Sequence, residues 1–495
     1  MQIGRKDIAW NFAGTFMRIA SGLIVLPLVL RKFPTEEYGL WVIFITIGTV
    51  ATLLDFGFNN AFGRNITYIF SGVKKLVAKG YIAVPEDDNS IDYNLLKSTI
   101  TAIKKYYAII AGVFLALFFT VGTFYFASIV LTKYSGNHTS AWLSWLLYGI
   151  SIAYQLYTYY YSALLTGRGL IKRNQQTIII GQTVRIASIS VMIFLNFGLI
   201  ALVAGQILGD FTTRTLAYYA FYNKKLKANL TNAIATGKTE IMKIMMPNAA
   251  KIGLTSLGGF MVTRASVLIA PNYLTLSDIG EYGLTKQMID LIAGIGSIWF
   301  ATFYPKITFH RVHDQTDHLK RMYIKGKLNL IATFLICGAG LILVGPYVLQ
   351  FIKSPTHLLP SALIAVLLVV SFLESNHAMS GQILLTKNEV PFAKASILSG
   401  TATVILLFLG LNFTNLGVWA MILAPGIAQA SYQNWKWSSV VIKDLKIRFI
   451  DYFKVLFDII KINKYMTSND YPYAFCTRPE MLQFVPDTAK KILEV

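Results

Sequence analysis

The chain carries one four-residue stretch twice, first as Glu37-Tyr38-Gly39-Leu40 and again, 244 residues later, as Glu281-Tyr282-Gly283-Leu284. A shorter echo repeats Leu164-Leu165-Thr166 as Leu384-Leu385-Thr386, at an offset of 220 residues. Both pairs adjoin hydrophobic runs. Recurrence at two similar offsets indicates that the chain consists of two copies of one helical unit.

The composition is that of a membrane protein. Hydrophobic residues make up 55% of the chain and charged residues only 14%, and the mean hydropathy is +0.53. A soluble chain carries about 25% charged residues. Uncharged runs such as Tyr107 to Thr132 and Leu328 to Ile352 exceed the roughly 20 helical residues that cross the hydrocarbon. They lack the period-two alternation of barrel strands, so we predict helices.

We predict an all-α, polytopic membrane protein with about twelve spans in two pseudo-symmetric six-helix lobes around a central cavity. The predicted domains are an N-terminal lobe at 1–222, a cytoplasmic linker at 223–240, a C-terminal lobe at 241–440 and a cytoplasmic amphipathic helix with tail at 441–495. The twelve spans lie near 7–30, 39–69, 107–132, 142–166, 177–197, 199–222, 241–270, 282–304, 328–352, 358–386, 395–411 and 416–440.

The distribution of Lys and Arg predicts the orientation, because cytoplasmic loops retain basic residues. Alternate loops are rich in them, whereas the opposite loops hold only Arg31, Lys32, Lys133 and Lys353. Both termini are therefore predicted to be cytoplasmic. The net charge of +21 is mainly a topology signal, and since the basic residues lie in short loops between spans, nucleic acid is not an expected partner.

After the last span, acidic and basic residues alternate with apolar ones from Asp444 to Lys461. Charges at that frequency are costly in a spanning helix but suit an amphipathic helix that lies in the membrane interface. We expect this segment to anchor the chain.

Ionisable residues inside spans are costly and usually face a cavity or a partner, so they are the main functional signal. Cations outnumber anions among them, which favours a negatively charged substrate group such as a phosphate. We select Arg18, Arg64, Lys251 and Arg264 as substrate-binding candidates. The full set is Arg18, Asp55, Arg64, Arg185, Asp210, Arg214, Lys251, Arg264, Lys286, Asp290 and Glu374.

Each candidate has a structural alternative. Arg64 and Arg264 lie near span ends, where they can meet lipid headgroups, and Lys251 can extend to the interface. Asp210 and Arg214 are four residues apart, which favours a neutralising pair on one helix. Asp290 and Glu374 are candidates for proton or sodium coupling, or counter-ions of nearby cations. The three-residue spacing of Glu374 and His377 favours a hydrogen-bonded packing pair over a proton relay.

A membrane protein built from two related halves is typical of a transporter with alternating access. Signatures of nucleotide hydrolysis, zinc peptidases and serine hydrolases are absent from the sequence. We therefore expect no enzymatic activity, no cofactor and no metal. Transport is expected to be driven by a gradient of H+ or Na+, by the membrane potential or by the gradient of the substrate itself.

The opening of the chain resembles that of bacterial polysaccharide transporters of the Wzx type, in the multidrug/oligosaccharidyl-lipid/polysaccharide (MOP) flippase superfamily. The resemblance is carried by Leu26 to Trp41, Leu54 to Phe58 and Ala61 to Arg64, with Glu37, Tyr38, Gly39, Asp55 and Gly57 as its motif residues. In topology it extends over nearly the whole chain.

The resemblance implies a flippase that moves undecaprenyl-diphosphate-linked oligosaccharide, such as an O-antigen repeat unit, across the bacterial cytoplasmic (inner) membrane. It also implies a cation-lined cavity, which Arg18, Arg64, Lys251 and Arg264 could supply. Membrane lipids, together with a polysaccharide polymerase and other assembly enzymes, are the implied partners. Tyrosines such as Tyr154, Tyr157 and Tyr159 could stack on sugar rings, although packing is the commoner role of such residues.

Three alternatives stay open at this point. Lipid II flippases belong to the same superfamily but usually have fourteen spans. Cation-coupled drug exporters also belong to it, although their cavities favour acidic groups. A membrane-bound polysaccharide polymerase or acyltransferase would normally carry catalytic residues on large outward loops, whereas the outward loops predicted here are short.

Overall fold

The computed structural model of the protein describes residues 5–55, 58–76, 90–235, 241, 253–312, 315–387 and 390–466. All regular structure in these residues is helical, which confirms the predicted all-α class. The predicted tail from residue 467 onward lies outside the described residues.

The N-terminal half contains ten described α-helices, several of them joined end to end across short breaks. A five-residue π-helical turn at Phe118–Gly122 continues α4 into α5. The helices are α1 Arg5–Lys32, α2 Thr35–Leu53, α3 Phe58–Phe70, α4 Tyr93–Leu117, α5 Thr123–Lys133, α6 His138–Thr158, α7 Tyr160–Gly167, α8 Ile171–Phe194, α9 Leu199–Phe221 and α10 Lys224–Asn232.

The C-terminal half repeats this pattern of long and broken helices. A 3-10 turn at Ala270–Asn272 follows α12. The helices are α11 Gly253–Thr263, α12 Ala265–Ile269, α13 Leu276–Val312, α14 Thr316–Leu343, α15 Gly345–Phe351, α16 Ser361–Leu385, α17 Ala393–Phe413, α18 Val418–Ala430, α19 Gln433–Asp444 and α20 Phe449–Met466.

Six described helices are long and apolar enough to cross a membrane, and the pair α11–α12, bent by 62°, would be a seventh. Joined across their short breaks, the described helices follow the twelve predicted span positions. The segments are α1, α2–α3, α4–α5, α6–α7, α8, α9, α11–α12, α13, α14–α15, α16, α17 and α18–α19. The helix α10 lies inside the predicted linker, and the predicted domain boundaries remain predictions.

Local sequence explains where several helices begin. The Asp92 carboxylate accepts the backbone N–H groups of Asn94 and Leu95, both at 2.9 Å, at the start of α4. Asn137 and Asn223 cap α6 and α10 in the same way. Side-chain oxygens at this position satisfy N–H groups that have no partner within the helix.

The two halves meet where α2 packs against α13, and both copies of the Glu-Tyr-Gly-Leu repeat lie in this contact. A Cβ added to Gly39 would lie 2.2 Å from the carbonyl oxygen of Leu276, and one added to Gly280 would lie 2.8 Å from that of Thr35. A Cβ added to Gly283 would lie 2.5 Å from Cγ2 of Val42. Glycine therefore allows the two helices to approach backbone to backbone.

Polar contacts fix the register of this helix pair. The Tyr38 hydroxyl donates to the Gln287 side-chain oxygen at 2.9 Å. The Thr35 hydroxyl donates to the backbone oxygen of Pro355 at 3.0 Å. Such hydrogen bonds between helices add specificity to a contact that is otherwise built from packing. Groups in the first turn of α2 thus bond both to α13 and to the segment between α15 and α16.

The first copy of the repeat also holds the end of another helix. Oε1 of Glu37 accepts the backbone N–H of Leu199 at 2.7 Å, at the start of α9. The preceding Gly198 has φ of +54°, a conformation that favours glycine. Glu37 of the family motif therefore serves as a cap that joins α2 to α9 within the N-terminal half.

The motif residue Asp55 lies at the break between α2 and α3. Its Oδ1 accepts the Tyr107 hydroxyl at 2.5 Å, and its Oδ2 accepts the backbone N–H of Asn59 at 3.3 Å. The Asn59 side chain in turn donates to the backbone oxygen of Tyr159, at the break between α6 and α7. Asp55 thus stabilises two adjacent interruptions. Gly57 lies outside the described residues.

We predict that Gly39→Ala destabilises the fold, because its methyl group would overlap the Leu276 carbonyl. Overpacking of this kind costs about 1–3 kcal/mol. Thermal unfolding of the purified protein in detergent should show a lower midpoint. The matched control is Gly340→Ala on α14, where an added Cβ meets no atom within 4 Å. Equal midpoints for the two variants would contradict the glycine contact.

Candidate functional site

A cavity of 360 Å³ lies inside the C-terminal half, between the α11–α12 bend, α13 and α16; we call it the C-half cavity. The 62° bend falls at Arg264, the residue between α11 and α12. Interrupted helices free backbone groups and turn side chains inward, which is how transporters build sites at mid-membrane. Arg264 therefore lines the cavity.

Three charged side chains form a connected group on one wall of the C-half cavity. Nη2 of Arg264 lies 2.9 Å from Oδ2 of Asp290. Nζ of Lys286, one turn before Asp290 on α13, forms a salt bridge with Oδ1 of the same carboxylate. Asp290 is thus the counter-ion of two cations, which was the alternative to its predicted coupling role.

The fourth charged group of the cavity is Glu374 on α16. Within the part of the chain that the structure describes, no group lies in hydrogen-bonding distance of its carboxylate. The Glu374 carboxylate interacts electrostatically with Lys286, Asp290 and Arg264. The four charges balance when all are ionised, so the C-half cavity has no excess of positive charge.

A second charged cluster lies in the N-terminal half, between α6, α8 and α9; we call Gln155, Arg185, Asp210 and Arg214 the N-half cluster. Nε2 of Gln155 donates to Oδ2 of Asp210 at 3.4 Å. Asp210 and Arg214 lie about 17 and 23 Å along α9 from its start, deep in the predicted span. The cluster contains two guanidinium groups and one carboxylate.

Among the described residues, neither guanidinium group of the N-half cluster has a carboxylate within 4 Å, although both interact electrostatically with Asp210 over a longer distance. Among the described residues, neither Arg185 nor Arg214 makes a hydrogen bond or an ion pair within 4 Å, and Nε of Arg214 is buried without a partner. The expected Asp210–Arg214 pair is therefore not formed at contact distance. A cation held deep in a membrane protein without a partner is strongly disfavoured unless a ligand or water supplies one.

Tyrosine rings surround Arg214. Its guanidinium lies 6.0 Å from the ring centre of Tyr159, within cation–π range. Tyr157, in the last turn of α6, and Tyr159, at the α6–α7 break, keep more than a third of their surface exposed. Rings with exposed faces and hydroxyl groups thus adjoin the cationic part of the N-half cluster.

Of the four predicted binding residues, the structure describes the side chains of two, and these two lie apart. Arg264 lines the C-half cavity, whereas Arg64 is exposed on α3. Arg18 belongs to α1, but its side chain lies outside the described residues, as does all of Lys251. Asp290 and Glu374 do lie together in the C-half cavity. A central site shared by the two halves stays a prediction, and the described residues contain one charged cluster in each half.

Two features of the site were missed by sequence reasoning. Arg185 and Arg214 were recognised as intramembrane charges but not selected, because spacing on a helix cannot show whether a charge is neutralised. The buried amine of Lys327, on α14, donates to the backbone oxygen of Asn376 at 2.9 Å and to Ser380 Oγ at 3.1 Å. Lys327 directly precedes the uncharged run that starts at Leu328, so the sequence gave no indication that its amine is buried.

The predicted pairing of Glu374 with His377 is wrong. Nδ1 of His377 instead lies 3.0 Å from the side-chain oxygen of Asn434 on α19. A three-residue spacing places two side chains on one broad helix face, but neighbouring helices decide where each points. His377 is therefore a packing contact between α16 and α19.

Three solved structures share this fold. An inward-facing multidrug resistance MATE family transporter of the MOP superfamily has a TM-score of 0.63 at 12% identity, covering 89% of this chain and 98% of that one. Lipid II flippase MurJ, inward closed, has a TM-score of 0.58 at 13% identity, with 93% of each chain covered. The MATE multidrug transporter DinF-BH has a TM-score of 0.58 at 14% identity, covering 89% of this chain and 96% of that one.

No family model and no curated protein matches the sequence. At these identities the likeness establishes the fold, which is that of MOP superfamily transporters. The predicted all-α, polytopic fold class is thereby confirmed, whereas the division into two related lobes stays a prediction.

We predict that neutralising the two carboxylates of the C-half cavity has different effects on stability. Asp290→Asn leaves Arg264 and Lys286 without their counter-ion and should cost about 3 kcal/mol. Glu374→Gln removes a charge that has no contact partner among the described groups, so its unfolding midpoint should be unchanged or higher. Thermal unfolding in detergent compares these two isosteric substitutions directly. A larger loss for Glu374→Gln would refute the assigned ion pairing.

Proposed function

We propose that the protein is a flippase that moves undecaprenyl-diphosphate-linked oligosaccharide repeat units across the bacterial cytoplasmic membrane by alternating access. The activity is transport without catalysis. It would place the chain in polysaccharide biosynthesis, for example of an O-antigen, alongside a polymerase and other assembly enzymes. The fold shared with MOP transporters supports transport, and the charged clusters support the substrate class.

The observation that carries the proposal is the excess of positive charge in the N-half cluster, where Arg185 and Arg214 share the single carboxylate of Asp210 without contacting it. A diphosphate supplies two negatively charged groups, and guanidinium binds phosphate oxygens with two parallel hydrogen bonds. Binding would therefore satisfy both cations at mid-membrane, where they are otherwise most costly. The nearby exposed rings of Tyr157 and Tyr159 provide stacking surfaces for the attached sugars, while the lipid tail stays in the bilayer.

Alternating access requires two bodies that can change their angle while staying joined. The α2–α13 contact suits this requirement, because Gly39 and Gly280 place two backbones against each other with few side chains between them. The halves would pivot about this contact, exposing the space between them to each side in turn. The pivot would lie toward the starts of α2 and α13, at the predicted outer face.

The C-half cavity would supply the coupling. Glu374 is a carboxylate in a polar cavity without a contact partner among the described residues, and such a group can take up H+ or Na+ during a transport cycle. Protonation would leave the cavity with a net positive charge and change its attraction for the N-terminal half. The ion gradient would in this way bias the opening direction.

Export of a cationic drug is the second candidate function, and the same carboxylate favours it. Glu374 could accept an organic cation, and two of the structures with this fold are named as multidrug transporters. The N-half cluster argues the other way, because its two guanidinium groups outnumber its one carboxylate and repel a cation. Lipid II transport would fit the diphosphate chemistry equally well.

The deciding experiment is translocation in proteoliposomes. A fluorescent undecaprenyl-diphosphate oligosaccharide is followed by its accessibility to an impermeant quencher, with lipid II and a cationic dye in parallel vesicles. We expect protein-dependent movement of the undecaprenyl-linked oligosaccharide. Dye movement alone would replace the proposal with drug export, and lipid II movement alone would identify a lipid II flippase.

We predict that Arg185→Gln and Arg214→Gln each lower binding of the lipid-linked substrate about ten- to a hundredfold, because each removes a charged hydrogen bond worth about 1.5–3 kcal/mol. The matched control is Arg64→Gln, since Arg64 is exposed outside both clusters. Binding is measured by microscale thermophoresis with the fluorescent substrate in detergent. If Arg64→Gln lost substrate binding while Arg185→Gln and Arg214→Gln retained it, the assignment of the binding site to the N-half cluster would be wrong.

A further inference from the structure

The last described helix, α20, turns two different faces to its surroundings. One face packs against α14, where Val455 is buried and Asp451 is nearly so. The opposite face consists of large apolar side chains left uncovered by the described chain, among them Phe449 at 80% and Phe457 at 60% exposure. Ile450, Phe453 and Leu456 complete this stripe, which follows the period of an α-helix.

Ion pairs hold the acidic residues of this region against the protein. Asp451 Oδ2 lies 2.5 Å from Nζ of Lys320, and Asp458 Oδ2 lies 2.8 Å from Nη2 of Arg321. Just before α20, Asp444 contacts Arg311 at 2.8 Å and Lys387 at 2.6 Å. The hydrogen bonds from Lys320 and from the backbone N–H of Arg448 lower the pKa of Asp451, so the contacts of Asp451 persist at neutral pH.

The cations of the same segment are distributed in the opposite way. All three acidic residues between positions 443 and 458 form ion pairs with other helices. The exposed side chains of the segment include four cations, namely Lys443, Lys446, Arg448 and Lys454. The outward surface of α20 and its leading turn therefore combines an aromatic stripe with an uncompensated positive charge.

The position of α20 brings this surface to the membrane boundary. It follows α19, the last predicted span, after a turn in which Lys446 has φ of +49°. It is tied to Lys320 and Arg321, which belong to the charged first turns of α14, ahead of the uncharged run from Leu328. Helix and headgroup layer therefore lie at the same depth.

We infer that α20 is an anionic-lipid-binding helix that inserts its phenylalanine stripe into the cytoplasmic leaflet, while its cations bind acidic headgroups. A helix with an apolar face and flanking basic residues binds a membrane surface through buried apolar area and attraction to anionic lipid. The ion pairs to Lys320 and Arg321 make this contact part of the C-terminal half, because any shift of α14 must move α20 along the leaflet. The inference is independent of the transported substrate.

The test places a nitroxide label at Phe453→Cys or at Lys454→Cys, with Cys337 and Cys476 replaced by Ser. The full-length protein is reconstituted in phosphatidylcholine vesicles with or without phosphatidylglycerol. Accessibility to oxygen, which dissolves in the acyl region, is compared with accessibility to a water-soluble nickel chelate. We expect the ratio of oxygen accessibility to nickel-chelate accessibility to be severalfold higher for the label at 453 than for the label at 454. This difference should increase when phosphatidylglycerol is present.

Three results would overturn the inference. Equal exposure of both labels to the nickel chelate would mean that the stripe faces water. An oxygen preference of the same size with and without phosphatidylglycerol would show that anionic headgroups are not required. Dipolar broadening between labels at 453 would show that a second copy of the chain covers the stripe. Because position 453 is exposed and the ion pairs are left intact, the labelled variants should fold as the parent does.

Discussion

The close approach of α2 and α13 is the constraint on which the arrangement of the two halves depends. Gly39 and Gly280 each face a backbone oxygen of the other helix, so a side chain at either position would push the halves apart. Tyr38 and Thr35 then fix the register through hydrogen bonds to the C-terminal half. Because Glu37 of the same turn caps α9, the contact is also anchored within the N-terminal half.

Each half contains one charged cluster, and the two clusters differ in net charge. In the C-half cavity, Asp290 neutralises two cations and Glu374 adds a further negative charge. In the N-half cluster, Arg185 and Arg214 exceed the single carboxylate of Asp210. Under the proposed function, the N-half cluster would bind the anionic substrate group and the C-half cavity would take up the coupling ion.

Much of the fold was predictable because the membrane restricts backbone hydrogen bonding to helices, and long uncharged runs show where those helices lie. Several span boundaries were correct to within a few residues. The interruptions were harder to predict: Asp55 and Arg264 look like isolated intramembrane charges in the sequence, yet each lies at a break between helices. Hydropathy averages over a window and therefore hides breaks of a few residues.

The sequence by itself determined the helical class, the approximate spans and the list of intramembrane charges, since all of these follow from local composition. Only the tertiary structure decided which charges neutralise each other. Asp290 meets cations from two different parts of the chain, while Arg214 remains apart from Asp210 although they are only four residues apart. Ion pairing depends on distances of a few ångströms between helices that are remote in sequence, and one-dimensional spacing does not contain those distances.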